Sequence, residues 1–243
     1  MNINQSIEQL RSLRLAGMAN RYEAIAALPV HEQQDTHELL GSMIQAEVEH
    51  REYTRTQKYL KASKLRYHAL PEEITCTPER GITREQILRL SDGAFIQRGE
   101  NVLICGPTGT GKSFLACALG RSACLLGYKT MYFSMTRFME AITQAKLDGT
   151  YLKLLKTMSN QKLLILDDFG LKAINTDCRL ALLDILEDRY GISSVIITSQ
   201  LPIESWHEYL QDPTLADAIL DRLTASAHRL ALSGVSLRKK NIK

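Results

Sequence analysis

The stretch that decides the fold is residues 101–119, Asn-Val-Leu-Ile-Cys-Gly-Pro-Thr-Gly-Thr-Gly-Lys-Ser-Phe-Leu-Ala-Cys-Ala-Leu. Its first five residues are typical of a buried strand, and its last six are typical of a helix. Between them, residues 106–113 match Gly-x-x-x-x-Gly-Lys-Ser, in which the glycines let successive backbone N–H groups curl around a phosphate. The helix start adds a partial positive charge at the same point. The stretch therefore predicts a nucleotide-binding phosphate loop.

This loop carries definite residue roles. Lys112 can reach the β- and γ-phosphates of ATP, and the Ser113 hydroxyl can bind Mg²⁺. A chance match to the pattern is expected roughly once in a hundred chains of this length and glycine content, and the flanking strand and helix lower that figure further. The residues expected to contact the nucleotide are Gly106, Pro107, Thr108, Gly109, Thr110, Gly111, Lys112, Ser113 and Phe114.

Short apolar runs alternate with helical stretches along most of the chain. Further strand candidates are 130–133, 162–166 and 194–198, and this alternation predicts an α/β fold with a doubly wound parallel sheet. Residues 1–68 show only helical patterns, and no Gly or Pro interrupts 45–66, so one long helix is expected there. We predict an N-terminal all-helical domain over 1–68, a linker over 69–81 and an ATPase domain over 82–243.

Two carboxylates follow the third strand candidate, at the end of a sheet where ligands of doubly wound folds collect. Asp167 is the candidate that holds Mg²⁺ together with Ser113, and Asp168 is the candidate that orients or deprotonates the attacking water. A pair of solvated turn residues would be the simpler interpretation if no phosphate loop preceded them. With the loop upstream, a catalytic pair is the better interpretation.

Polar residues also follow the fourth strand candidate, at 198–200, Thr-Ser-Gln. Gln200 is the candidate that senses the γ-phosphate or aligns the water. Ordinary turn chemistry is the alternative, because Leu-Pro comes next.

Residues 51–66 form a basic segment with six positive side chains against one acid, Glu52. Spacings of three and four residues place several of them on one helical face, where they can replace the counterions condensed on DNA phosphates. A solvated helix face is the alternative. The candidate DNA contacts are Arg51, Arg55, Lys58, Lys61, Lys64 and Arg66.

Composition limits which partners and which cellular location the protein can have. The net charge of +3 over 243 residues is not extreme, so a nucleic-acid partner has to be argued from local clustering. Five cysteines without a Cys-x-x-Cys pair argue against a disulfide framework or a zinc site. We see no secretory signal and no apolar run of membrane-spanning length. We therefore expect a cytoplasmic protein with no membrane partner.

Taken together, these segments resemble the IstB-like branch of the AAA+ ATPases, whose members assist insertion-sequence transposition and whose close relatives are the DnaC-type helicase loaders. The resemblance runs from residues 10–18 (Leu-Arg-Ser-Leu-Arg-Leu-Ala-Gly-Met) through the phosphate loop and residues 163–170. It is most specific at 197–202 (Ile-Thr-Ser-Gln-Leu-Pro) and 212–223 (Asp-Pro-Thr-Leu-Ala-Asp-Ala-Ile-Leu-Asp-Arg-Leu), and residues 236–239 close it.

The resemblance implies roles that spacing does not show. Arg222 matches the arginine finger, which reaches the ATP of the neighbouring subunit and makes hydrolysis depend on assembly. Arg238 resembles the second sensor arginine, although the chain shows no separate C-terminal lid. Many AAA+ proteins have Asp-Glu where this chain has Asp167-Asp168, and the shorter second carboxylate implies slow hydrolysis.

The function expected from the resemblance is an ATPase that forms a homo-oligomer on duplex DNA with ATP between subunits. It would recruit or activate the transposase of the same element, and DNA and assembly would stimulate its hydrolysis. Two alternatives stay open. One is a DnaC-like replicative helicase loader, which would favour single-stranded DNA. The other is an ATP-gated DNA scaffold with negligible hydrolysis.

Overall fold

The computed structural model describes residues 2–237, with Val30 described by its backbone alone. The chain divides into two units, Met1–Lys58 and Tyr59–Lys243. The predicted boundary at residue 68 differs from this division by ten residues. The reason is that the chain directly after Lys58 already packs with the second unit, where Ser63 and Ala69 are fully buried.

The N-terminal helices are α1 (Ile3–Ser12), α2 (Ala16–Ala26), a 3₁₀ turn (Val30–Glu32) and α3 (Thr36–Ser63). A buried carboxylate joins α2 to α3: Glu47 accepts hydrogen bonds from the N–H groups of Gly17 (2.8 Å) and Met18 (3.2 Å) at the start of α2. Arg51 donates to the other oxygen of Glu47 at 2.7 Å. These hydrogen bonds lower the pKa of Glu47, although burial acts in the opposite direction, so the carboxylate stays charged and stabilises the positive end of α2.

The second unit contains a five-stranded parallel sheet and the helices that cover it. Its strands are β1 (Asn101–Cys105), β2 (Thr130–Ser134), β3 (Leu163–Phe169), β4 (Ser194–Ser199) and β5 (Ala227–Ala231). Its helices are α4 (Arg84–Ser91), α5 (Ala94–Gln97), α6 (Lys112–Leu125), α7 (Met135–Leu147), α8 (Tyr151–Ser159), α9 (Thr176–Arg189), α10 (Trp206–Leu210) and α11 (Pro213–Thr224). Short 3₁₀ turns lie at Pro71–Glu73, Pro78–Arg80 and Ile203–Ser205.

The strands pair in the order β2-β3-β4-β1-β5, and every pair is parallel. Four strands confirm the sequence prediction, but β5 has no counterpart in it. Its sequence, Ala-His-Arg-Leu-Ala, lacks an apolar run because it lies at the edge of the sheet, where only Leu230 is buried. The doubly wound α/β class is therefore confirmed, with one strand more than the periodicity indicated.

Alternate strand residues build two separate cores, one on each face of the sheet. Leu103, Leu164 and Ile197 point toward the core that contains α7 to α11, whereas Ile104, Ile165 and Ile196 point toward the core that contains α4 to α6. Both faces are covered, so the central strands β1, β3 and β4 contain continuous apolar runs rather than alternating patterns. In the described residues after β5, 232–237, there is no α-helix.

The predicted linker is structured rather than loose. Its two 3₁₀ turns begin at Pro71 and Pro78, each of which supplies the fixed backbone angle of a turn start. Arg80 is buried and donates a hydrogen bond to the carbonyl oxygen of Thr110 in the phosphate loop. No helix among the described residues is long and apolar enough to cross a bilayer.

Candidate nucleotide-binding and hydrolysis site

The phosphate loop connects the end of β1 to the start of α6, as the sequence predicts. Gly106 has a positive φ of 148°, and a Cβ there would collide with the carbonyl oxygen of Leu232. Gly111 has φ of 91° and directly precedes the first residue of α6. Both positions need glycine, because other side chains rarely adopt these angles. The loop backbone therefore turns its N–H groups toward the helix start, where a phosphate binds.

Lys112 lies over this loop. Its Nζ donates to the carbonyl oxygens of Gly106 at 2.7 Å and Pro107 at 2.9 Å. An open cavity of about 430 Å³ adjoins it, a volume within the range of small-molecule sites. The cavity is lined by Arg66, Tyr67, Thr108, Gly109, Gly111, Lys112, Ser113, Phe114, Asp168, Leu171, Gln200 and Leu237. The structure thus brings Lys112, Ser113, Asp168 and Gln200 around one space.

Asp167 is a fully buried carboxylate with protein donors on both oxygens. Its Oδ1 accepts hydrogen bonds from the Ser113 hydroxyl at 2.8 Å and from Thr198, and its Oδ2 accepts one from the Tyr132 hydroxyl at 2.6 Å. Burial and the nearby carboxylate raise the pKa of Tyr132, so its proton remains available for this bond. These contacts fix the carboxylate beside the Ser113 hydroxyl.

Asp168 has a different environment from its neighbour. Its side chain is 28% exposed and lines the cavity, and its backbone has φ of 63°. The pairing of β3 with β4 shifts register between Leu166 and Phe169, so the strand is irregular here. Such local irregularities re-aim side chains near functional sites. The Asp167 carboxylate is therefore buried, whereas the Asp168 side chain lines the cavity.

The three polar residues at the end of β4, Thr198 to Gln200, make different contacts. Thr198 bonds to Asp167 and accepts a hydrogen bond from the N–H of Asp168 at 3.1 Å. The Ser199 hydroxyl donates to the carbonyl oxygen of Phe169 on β3 at 2.7 Å and accepts from the N–H of Leu201 at 3.0 Å, and the second bond secures the turn. Gln200 is exposed and lines the cavity. The turn-chemistry interpretation thus describes Ser199, whereas Thr198 and Gln200 belong to the site.

The oxygen atoms at this site are suitable for Mg²⁺. The Ser113 hydroxyl and the Asp167 carboxylate lie within 2.8 Å of each other, and both are the hard oxygen ligands that Mg²⁺ prefers. No group of three or more His, Cys, Asp or Glu residues capable of holding a metal occurs in residues 2–237.

A smaller cavity of about 170 Å³ lies on another side of the phosphate loop. Apolar side chains, among them Ile74, Ile82 and Leu232, form much of its lining, together with Thr110 and Gly111 of the loop. A flat, mostly apolar base attached to phosphates on this loop would have a matching surface here. Nearby Cys105 has its pKa raised to about 11 by burial, so its thiol remains uncharged.

Arg222 lies away from the phosphate loop of its own chain. Its carbonyl oxygen accepts a hydrogen bond from Asn101 at 3.0 Å, and Asn101 begins β1, whereas the loop follows the opposite end of that strand. The Arg222 guanidinium pairs with Glu187 at 2.8 Å. Arg222 is therefore placed where it cannot complete its own nucleotide site.

The basic segment splits into two parts. Arg51, Arg55, Lys58 and Lys61 are exposed on α3. The helix ends at Ser63, three residues before the predicted end, and Lys64 follows with φ of 53°. Arg66 does not lie with the helical positions but beside Asp167 and Asp168. Arg238 lies outside the described residues.

Sequence reasoning missed two members of the site. Tyr132 on β2 and Arg66 before the ATPase core both contact Asp167, yet neither belongs to a motif. The one available signal for Tyr132 was its position on a predicted strand, and strand order does not follow from the sequence alone.

This fold and site define an α/β protein with a phosphate loop, similar in fold to solved DnaA and DnaC proteins. A solved DnaC helicase loader matches with a TM-score of 0.53 at 20% identity, over 72% of this chain and 99% of that one. DnaA from Aquifex aeolicus bound to AMPPCP matches with a TM-score of 0.58 at 19% identity, over 69% and 51%.

The chain belongs to the family of IstB-like ATP-binding proteins, whose model matches residues 8–243. An insertion-sequence ATP-binding protein of Sinorhizobium fredii is 42% identical over 239 residues, covering 98% of both chains. The ATP-binding protein of insertion sequence IS21 from Pseudomonas aeruginosa is 30% identical, covering 95% of this chain and 87% of the relative. The resemblance inferred from the sequence is confirmed.

Proposed function

We propose that this protein is an ATPase that assembles on duplex DNA and assists the transposition of an insertion sequence. The observation that carries the ATPase proposal is the Ser113–Asp167 hydrogen bond of 2.8 Å at the phosphate loop. It joins the two groups that bind Mg²⁺ in such enzymes, and Asp168 faces the adjoining cavity.

The proposed reaction is transfer of the γ-phosphoryl group of ATP to water. Mg²⁺, when bound, neutralises phosphate charge, and the Ser113 hydroxyl with the Asp167 carboxylate would hold it. Lys112 stabilises the charge on the β- and γ-phosphates. Asp168 positions the attacking water and accepts its proton, and Gln200 aligns that water from the end of β4.

The placement of Arg222 supports a site shared between subunits. Because it lies at the far end of β1 from its own loop, we assign it to the ATP of a neighbouring copy. An arginine supplied in this way accelerates phosphoryl transfer by about 10³–10⁵-fold. Hydrolysis would then occur only after the protein has assembled.

The role in transposition is supported by the relatives. Two family members with similar lengths are named as insertion-sequence ATP-binding proteins, and the exposed cations of α3 supply a surface for DNA phosphates. We propose that the DNA-bound assembly recruits the transposase of the same element. The similarity to a helicase loader is one of fold, and a preference for single-stranded DNA would favour that alternative.

Steady-state ATP hydrolysis with and without duplex DNA tests the enzymatic proposal. We expect Asp168→Asn to bind ATP within a few-fold of the unmodified protein and to lose roughly 10²–10⁴-fold in turnover, the usual contribution of a general base. Asp148→Asn, which changes an exposed carboxylate at the end of α7, is the matched control. If saturating DNA leaves turnover at background and Asp168→Asn changes nothing, the protein is an ATP-gated scaffold instead.

A further inference from the structure

Arg66 extends into the nucleotide site from the chain segment that precedes the ATPase core. Its Nη1 lies 3.7 Å from Oδ2 of Asp167 and 3.5 Å from Oδ2 of Asp168. The Arg66 side chain is 45% exposed, whereas Asp167 is fully buried. The guanidinium therefore reaches both carboxylates from the solvent side and forms part of the wall of the large cavity.

Neighbouring residues hold this arginine in place. Leu65 packs so closely on α6 that a Cβ at Gly120 would lie 2.8 Å from its Cδ2. The Arg66 guanidinium lies 5.3 Å from the centre of the Tyr67 ring, and that ring is 6.2 Å from the Phe114 ring. Because α6 begins at the phosphate loop, Arg66 is anchored to the same helix that presents the phosphate-binding residues.

The position of Arg66 conflicts with a metal ion at the same carboxylate. Asp167 already accepts hydrogen bonds from Ser113 and Tyr132, and a buried carboxylate needs such compensation together with a nearby positive charge. A guanidinium satisfies that need when no metal is bound. When Mg²⁺ binds beside Asp167, two cations would lie within a few ångströms, and they repel strongly in a partly buried site.

We propose that Arg66 is a positioning residue that holds the carboxylates of Asp167 and Asp168 in the absence of metal and is displaced from them when Mg²⁺ and ATP bind. This inference rests on the proposed ATPase function and adds a control on that site. While Arg66 holds Asp168, that carboxylate is less available to orient water. When Arg66 is displaced, Asp167 becomes available to the metal and Asp168 becomes available to the water at the same time.

The chain position of Arg66 indicates what the control responds to. Arg66 follows the end of α3 by three residues, and α3 carries the exposed cations assigned to DNA. The segment therefore joins the helix proposed to bind DNA to Arg66, whose guanidinium contacts the two acidic residues. A DNA-dependent shift at the end of α3 would be transmitted to Arg66 without any additional element.

The test is the Mg²⁺ dependence of ATP binding, followed by the anisotropy of a fluorescent ATP analogue in the full chain without DNA. Removing a competing charge should lower the Mg²⁺ concentration at half-maximal binding by at least about threefold in Arg66→Gln. Arg66→Lys retains the charge and should keep a midpoint close to that of the unmodified protein. Lys153→Ala, which removes an exposed cation of α8, is the matched control and should leave the midpoint unchanged.

An equal Mg²⁺ midpoint in Arg66→Gln would overturn the proposal, because it would mean that Arg66 does not compete with the metal. A higher midpoint would also overturn it, because it would mean that Arg66 assists metal binding. Arg66→Met, which keeps the aliphatic stem over Tyr67, gives a second measurement if glutamine disturbs folding, and the same two outcomes apply to it. Failure of the unmodified protein to bind the analogue at any Mg²⁺ concentration would instead contradict the proposed ATP-dependent function.

Discussion

At the residue scale, a single hydroxyl connects the two acidic residues of the site. Thr198 donates to the Asp167 carboxylate and accepts from the backbone N–H of Asp168. One group thus orients the proposed metal ligand and restrains the irregular backbone that directs Asp168 into the cavity. Ser113 and Lys112 line the cavity directly, whereas Thr198 contacts the Asp167 carboxylate and the Asp168 backbone.

Thr198→Val removes this hydroxyl with little change in side-chain shape. We expect turnover to fall by about 10–100-fold, the usual cost of losing a partner that orients a metal ligand, while ATP affinity changes by less than about threefold because the phosphate loop is untouched. Measurement of kcat beside nucleotide binding separates the two effects. Thr198→Ser keeps the hydroxyl and should retain most of the activity. An equal loss of binding and turnover would show that Thr198 supports the whole loop instead.

At the element scale, α3 contains both an internal anchor and the proposed DNA surface. Arg51 is bonded to Glu47, which caps α2, so its substitution would disturb the packing of the N-terminal helices. Arg55 and Lys58 are exposed on the same helix. They are the cleaner positions for a test of DNA binding.

Replacing Arg55 and Lys58 together with glutamine should weaken duplex DNA binding and flatten its salt dependence. Each lost phosphate contact changes the slope of log K against log salt by about 0.9, so the slope should decrease in magnitude by about 1.8. Lys153→Gln with Lys156→Gln, two exposed cations of α8, is the charge-matched control. An unchanged slope would place the DNA surface elsewhere, and affinity restricted to single strands would favour the loader alternative.

The elements that the sequence predicted are those whose pattern reflects burial on both sides. β1, β3 and β4 are continuous apolar runs because helices cover both faces of the sheet, and the phosphate loop follows from its glycines. β5 was not predicted, because an edge strand needs few buried side chains and therefore has no apolar run. Ser63 and Ala69 are fully buried, Ala69 in the core that contains α4 to α6, and local patterns carry no information about such packing.

The same limit applies to the site. Asp167 and Asp168 were recognisable because they end a strand after a phosphate loop. Arg66 was grouped with its basic neighbours because a charge count treats all cations in a segment alike. Its approach to Asp168 at 3.5 Å depends on where α3 ends and how Leu65 packs. Both are properties of the folded chain.

At the scale of the whole molecule, the phosphate loop and Arg222 lie at opposite ends of β1. An interface that joins one end of a protomer to the other end of its neighbour is heterologous, and such interfaces generate rings or helical filaments. The Arg222–Glu187 ion pair within one chain must then open when the interface forms. Each complete ATP site would need residues from two copies.

Mixing two inactive variants tests this shared site. Lys112→Ala should not bind ATP, and Arg222→Ala should bind ATP without hydrolysing it. Mixed assemblies should recover about one quarter of the unmodified activity, because an interface is complete when an intact loop meets an intact Arg222, each with a probability of about one half. The control mixture pairs Lys112→Ala with Asp168→Asn, whose defects both lie on the loop side of the interface, so no site can be complete. Equal activity in the two mixtures would mean that Arg222 does not complete the site of a neighbouring copy, and the ATP site would then be complete within one chain.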